Sequence, residues 1–102
     1  MILVTARLAA RPDARNELVR LLIEVRDATL AEEGCVNYGY YAALDDPNEI
    51  VAVEEWRDEA ALQAHFGEPH VAKLMSEAPG LLAAAPEIVA HEVSGSRPLG
   101  AR

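Results

Sequence analysis

Three short runs of β-branched and aliphatic residues fill both alternating positions of an extended chain, and this pattern limits the fold more than any other feature. Ile2, Leu3, Val4 and Ala6 form the first run, Ile50 to Val53 the second, and Ile88, Val89 and Ala90 the third. A strand with one face in water alternates apolar and polar side chains, so these runs require cover on two faces. Between the first two runs the period changes. Ala14, Leu18, Leu21, Leu22, Val25 and Ala28 recur at steps of three and four, with Arg15, Glu17, Arg20, Glu24 and Asp27 on the other side. That spacing predicts an amphipathic helix of about five turns. Asp13 is placed to cap it, or Pro12 to fill its first position, and Gly34 to end it.

Further along, Cys35 to Ala42 reads as an aromatic strand, and Asp45-Asp46-Pro47-Asn48 has turn chemistry. Ile50 to Trp56 reads as a third strand, making this pair a hairpin. Asp58 is expected to cap a helix that runs to His65 or Phe66, where Gly67 and Pro69 break it. A helical segment from His70 to Ala78 follows, then a break at Pro79-Gly80, a short helical turn over Leu81 to Ala85, and a last strand from Ile88 to Val93. The order strand, helix, strand, strand, helix, strand is the α+β ferredoxin-like arrangement, a four-stranded antiparallel sheet with helices on one face. Residues 1–93 form this domain, and 94–102 are expected to be a loose tail. Helices on one face leave the other bare, so a second copy packed sheet to sheet with two-fold symmetry is the economical cover, and a homodimer is expected.

Charge and composition exclude several classes. Seventeen acidic against nine basic residues give a net charge of −8, and Lys73 is the single lysine. A nucleic-acid surface needs clustered cations, so no nucleic-acid partner is expected. The apolar start of the chain is broken by Arg7 and Pro12, too short for a membrane span and without the basic leader of a signal peptide. Cys35 has no second cysteine to pair with, which fits a reducing compartment. A cytoplasmic protein with no membrane partner is the expectation.

The most information-rich stretch is Glu54-x-Trp56-x-Asp58-x-x-Ala61-Leu62-x-x-His65, followed by Pro69-His70. Together with Gly34-Cys35-x-x-Tyr38 and Asp45-Asp46-Pro47, it resembles the antibiotic biosynthesis monooxygenase (ABM) domain, in particular its small quinol monooxygenase subgroup. The resemblance covers residues 1–93. It implies a dimeric α+β barrel with a hydrophobic pocket between sheet and helices, and oxygenation of aromatic quinols without flavin, metal or other prosthetic group. Relatives of similar fold degrade haem or isomerise a phosphorylated signalling molecule. Haem degradation depends on an asparagine in the first strand, where this chain has Thr5, Ala6 and Arg7.

An oxygenase without a cofactor must draw its electrons from the substrate, which demands a dry pocket, a proton acceptor and donors for a developing oxyanion. His65 shares a helical stripe with Ala61 and Leu62 and is expected to point inward as the proton acceptor. Trp56 is the second catalytic candidate, although a core or interface tryptophan is an equal reading. Tyr38 and Tyr40 share a strand face and are preferred for holding an aromatic ring, while Asn37 and Tyr41 share the other. Glu54 is expected at the pocket edge as a hydrogen-bond acceptor. Asn37, Phe66 and His70 complete the substrate-binding candidates. His91 reads as structural, and Cys35 either as a small buried residue or as a thiol of lowered pKa. His65 and His70, five apart across Gly67 and Pro69, do not match a helical metal pair, so no metal is expected, and the resemblance implies no cofactor. Two other readings stay open: a binding or dimerisation module without chemistry, and an isomerase that uses the pocket without oxygen.

Overall fold

The computed structural model describes residues 1–100. Its strands are β1 (Ile2–Ala9), β2 (Cys35–Ala42), β3 (Glu49–Trp56) and β4 (Glu87–Glu92), and its helices are α1 (Arg15–Thr29), α2 (Glu59–Phe66) and α3 (Pro69–Glu77). All strand pairs are antiparallel in the order β2-β3-β1-β4. This is the ferredoxin-like fold expected from the order of periods.

The register sorts the side chains. Ile2, Val4 and Ala6 of β1 lie on the same face as Ala52, Glu54 and Trp56 of β3 and are buried beneath the helices. Leu18, Leu21, Leu22 and Val25 of α1 close over them, with Ala61 and Leu62 of α2. Asp58 caps α2 as predicted, its Oδ1 accepting the Ala61 amide at 2.9 Å. Every residue of the edge strand β4 is exposed, so the helical layer does not reach across it. The helix-free face carries Leu3, Val51, Val53, Tyr41 and Val89, with Tyr41 and Val89 about half exposed.

Three local expectations are corrected. Asp13 does not cap α1, because its carboxylate is taken by the Arg11 guanidinium at 2.9 Å, and a short 3₁₀ turn (Pro12–Ala14) starts the helix instead. The helix stops at Thr29, well before Gly34, where the backbone tightens into three-residue bonds from Ala31 to Ala28 and from Glu32 to Thr29. Residues 81–85 are not helical. After a 3₁₀ turn at Ala78–Gly80, their backbone pairs with the end of β1, Ala83 N donating to Ala9 O and Arg11 N to Leu81 O. With Pro79 and Pro86 unable to donate, partners on β1 satisfy this segment better than its own carbonyls.

Gly34 governs the approach of the α1–β2 turn to α2. Its φ is +83°, a region costly for residues with a Cβ, and an added Cβ would lie 2.5 Å from the Ala61 Cβ. Gly34→Ala is therefore expected to destabilise the fold by about 2 kcal/mol or more. A urea titration would read this as a lowered midpoint at unchanged slope; an unmoved midpoint would mean that the turn adapts freely.

Candidate functional site

The close packing at Gly34 brings a residue absent from the sequence-based candidates into the interior. Glu32, in the turn between α1 and β2, points one carboxylate oxygen at two imidazoles. Its Oε2 lies 2.9 Å from Nδ1 of His65 on α2 and 2.6 Å from Nε2 of His70 on α3. The three side chains are only 9%, 6% and 15% exposed. A carboxylate only accepts, so both facing nitrogens are assigned their hydrogens by their partner. His65 then presents Nε2 as its free lone pair. That atom has no protein partner among the described residues. Among the described residues, Thr29 Oγ1 is the only fully buried side-chain oxygen or nitrogen without a partner, so the His65 nitrogen is not completely enclosed.

His65 also lines a narrow cavity of about 90 Å³ between sheet and helices, whose polar wall it forms with Tyr38, Tyr40 and Glu54. The two tyrosines stand edge to face at 5.4 Å, with their hydroxyls 2.6 Å apart. Burial pushes the Tyr40 phenol up to about 12 and raises that of Tyr38 as well. Both therefore stay neutral at neutral pH, one donating to the other and the second keeping its hydrogen for another acceptor. Burial also raises the Glu54 carboxyl above its ordinary range, against the opposing pull of the Trp56 hydrogen bond and of His65.

The remaining candidates fall elsewhere. Trp56 is fully buried and does not line the cavity; its Nε1–H donates to Glu54 Oε1 at 3.0 Å, and its ring lies 4.6 Å from that of His65. It backs the site rather than facing a ligand. His70 also stands outside the cavity lining, as the second donor to Glu32. Asn37 is exposed on the helix-free face, with its side chain accepting the Tyr38 amide. Phe66, half exposed, lines the cavity. Burial, with Glu32 and Glu54 nearby, pushes the Cys35 thiol up, against activation as a nucleophile.

The five-residue spacing of the histidines proves a poor guide to their convergence. Glu32, His65 and His70 offer three donor atoms within 4.8 Å of one another, a set that could hold a divalent cation. Their N–O separations are those of hydrogen bonds, so accepting a cation would require the carboxylate to part from both imidazoles. Sequence spacing gave no signal for Glu32, because its partners are 33 and 38 residues away.

Glu54 provides a pH test of this interior. Below the ordinary glutamate value of 4.5 the side chain is protonated folded or unfolded, whereas above it the folded protein alone confines the charge in an apolar setting. Glu54→Gln, which preserves an acceptor for Trp56, is expected to raise stability at neutral pH. The gain should fade toward about pH 3.5. Urea midpoints at the two pH values check it, and an equal difference at both would show that ionisation of Glu54 is irrelevant to stability.

Comparison with known proteins agrees with this architecture. Residues 1–77 match the model of the family described as "Antibiotic biosynthesis monooxygenase". The solved structure of Rv0793 from Mycobacterium tuberculosis superposes with a TM-score of 0.89 at 32% identity, covering 95% of this chain and 98% of that one. A structure from Deinococcus radiodurans gives a TM-score of 0.92 at 24% identity, covering 99% and 100%, a likeness of fold alone. The Escherichia coli protein named "Probable quinol monooxygenase YgiN" is 32% identical over 90 residues, covering 76% of this chain and 84% of that protein. On the family match across three quarters of its length, with a buried His65 beside a tyrosine-lined cavity, this chain belongs to the antibiotic biosynthesis monooxygenase family.

Proposed function

We propose that the protein is a cofactor-independent monooxygenase of a hydroquinone or similarly electron-rich phenol. The observation that carries this reading is the setting of His65: one nitrogen is fixed on Glu32, the other has no protein partner among the described residues, and the residue lines a cavity bounded by two phenols that remain neutral. The quinol monooxygenase name of the E. coli relative supports the same substrate class.

In this mechanism the substrate hydroxyl enters the polar end of the cavity, and His65 Nε2 accepts its proton. Of the hydrogen-bonded pair Tyr38 and Tyr40, the hydroxyl that accepts from the other keeps its own hydrogen to donate to the resulting oxyanion. The electron-rich ring passes one electron to dioxygen, and the two radicals combine as a ring-bound peroxide. Cleavage of the O–O bond leaves one oxygen on the ring and releases the other as water, with the ring hydrogen lost as a proton. Hydroquinone and dioxygen thereby give hydroxyquinone and water, the four electrons taken by dioxygen all coming from the substrate. Glu54, which lines the cavity and whose carboxyl burial raises above its ordinary range, returns a proton to the departing oxygen in this reading. Glu32 and His70 hold His65 in the required tautomer, and Trp56 fixes Glu54 and packs against the His65 ring.

A second copy completes the assembly in this reading. The helix-free face, with Leu3, Val51, Val53, Tyr41 and Val89, is apolar enough to pack against its own two-fold mate. Sedimentation at micromolar concentration is expected to give the mass of two chains. Val53→Asp, which puts a charge at the centre of that face, should give the mass of one; a monomeric parent protein would sink the dimer.

Oxygen uptake by chelator-treated protein with a panel of hydroquinones, corrected for spontaneous oxidation, tests the chemistry. Protein-dependent uptake with labelled oxygen in the product is expected. His65→Ala should lower kcat by about 10²-fold or more, and Glu32→Gln by less, with a shifted pH profile. Uptake restored only by a divalent cation would transfer the chemistry to a metal on Glu32, His65 and His70. Binding without uptake on any quinol would leave a binding module or an isomerase.

A further inference from the structure

The polar-ended cavity is too small for the ring that the proposed reaction requires. Its volume is about 90 Å³, whereas an engineered cavity of about 150 Å³ takes up one benzene. A phenolic edge fits there, and the rest of the ligand must extend elsewhere. Beside it lies a second cavity of about 390 Å³, where the helical layer stops short of β4 and residues 78–86 form the far wall. Leu8, Leu74, Met75 and Ile88 line both cavities, so the two are separated by side chains and not by backbone layers. Met75 and Ile88 are more than half exposed and have room to move. Every residue lining the larger cavity is apolar, and none is aromatic. Its side chains offer no aromatic stacking face for a flat polycycle and no hydrogen bond for a polar one.

Resting on the monooxygenase reading for the head group, we propose that the ligand is a phenol or hydroquinone bearing a long aliphatic chain. The hydroxyl lies at Tyr38, Tyr40, Glu54 and His65, and the chain lies in the apolar cavity walled by Leu18, Leu82, Ala83, Ala84 and Pro86. An aliphatic chain removes apolar surface from water there without stranding a polar group. Leu74 and Met75, at the passage, select for a substituent thin enough to run between them.

Anaerobic calorimetric titration of the full chain with methyl-, butyl- and octylhydroquinone, each below its micelle concentration, tests the assignment. Affinity is expected to rise by about two- to fourfold per methylene until the cavity is filled. Ala84→Phe, at an exposed position on the cavity wall, should flatten that series relative to the parent protein. A flat series in the parent protein overturns the proposal without any variant. So does equal affinity for the matching alkylbenzene, which would detach the apolar cavity from the polar one. Tighter binding of a fused-ring hydroquinone of equal carbon number overturns the aliphatic chain, and a chain-length effect that disappears as two copies associate gives the cavity to the second copy. Oxygen uptake measured on the same compounds separates the two claims. A steep series without uptake refutes the oxygenase and retains the ligand class, whereas uptake on methylhydroquinone with a flat series does the reverse.

Discussion

One carboxylate oxygen shared by two imidazoles is the interaction on which the site depends. Glu32 lies in a turn, His65 on α2 and His70 on α3, so the contact ties the α1–β2 turn to two consecutive helices more than thirty residues further along the chain. Burying a carboxylate is costly unless its lone pairs are satisfied, and two N–H donors at 2.9 and 2.6 Å meet that demand. The same geometry assigns the tautomer of His65, and a histidine with one nitrogen committed has the other to offer. Structural and chemical requirements coincide there: the hydrogen bond that makes the burial of Glu32 tolerable also gives His65 a direction.

The surrounding aromatic groups act on that direction. Trp56 lies 4.6 Å from the His65 ring and donates its single N–H to Glu54, so it restrains the imidazole on one side and a carboxylate on the other. Tyr38 packs at 5.8 Å from His65 and shares a hydrogen bond with Tyr40. Burial keeps both phenols neutral and raises the Glu54 carboxyl above its ordinary range. The cavity is thus lined by two phenols that stay neutral beside one available imidazole, an arrangement suited to stabilising a negative charge that arises on a ligand.

The incomplete cover of the sheet shapes the rest of the molecule. Helices shield β1 and β3 but leave β4 exposed along its length, and the apolar cavity lies at this margin. Residues 78–86 come close enough to β1 to bond with it at Ala9 and Arg11 without filling the space beneath them. On the opposite face, Val51, Val53 and Leu3 have no layer above them within one chain. Both features follow from a short chain in which three helices must roof a four-stranded sheet.

Much of this was legible in the sequence, because periodicity depends only on neighbours along the chain. The change from extended to helical spacing gave the order of elements, Asp58 announced its helix, and the stripe of Ala61, Leu62 and His65 correctly turned the histidine inward. The shared parity of Tyr38 and Tyr40 placed them together, as it placed Trp56 with Glu54. Long-range geometry was not legible. The pairing of Glu32 with His65 and His70 requires the turn at Gly34 to dock on Ala61, a contact between residues with no common period. The retreat of Trp56 behind the cavity depends on how far the helices settle onto the sheet, and the non-helical course of residues 81–85 on carbonyls and amides supplied by β1. Local spacing thus determined which side chains face the interior, while tertiary packing decided which of them meet, because hydrogen bonds between distant segments form only where the backbone has already been brought within reach.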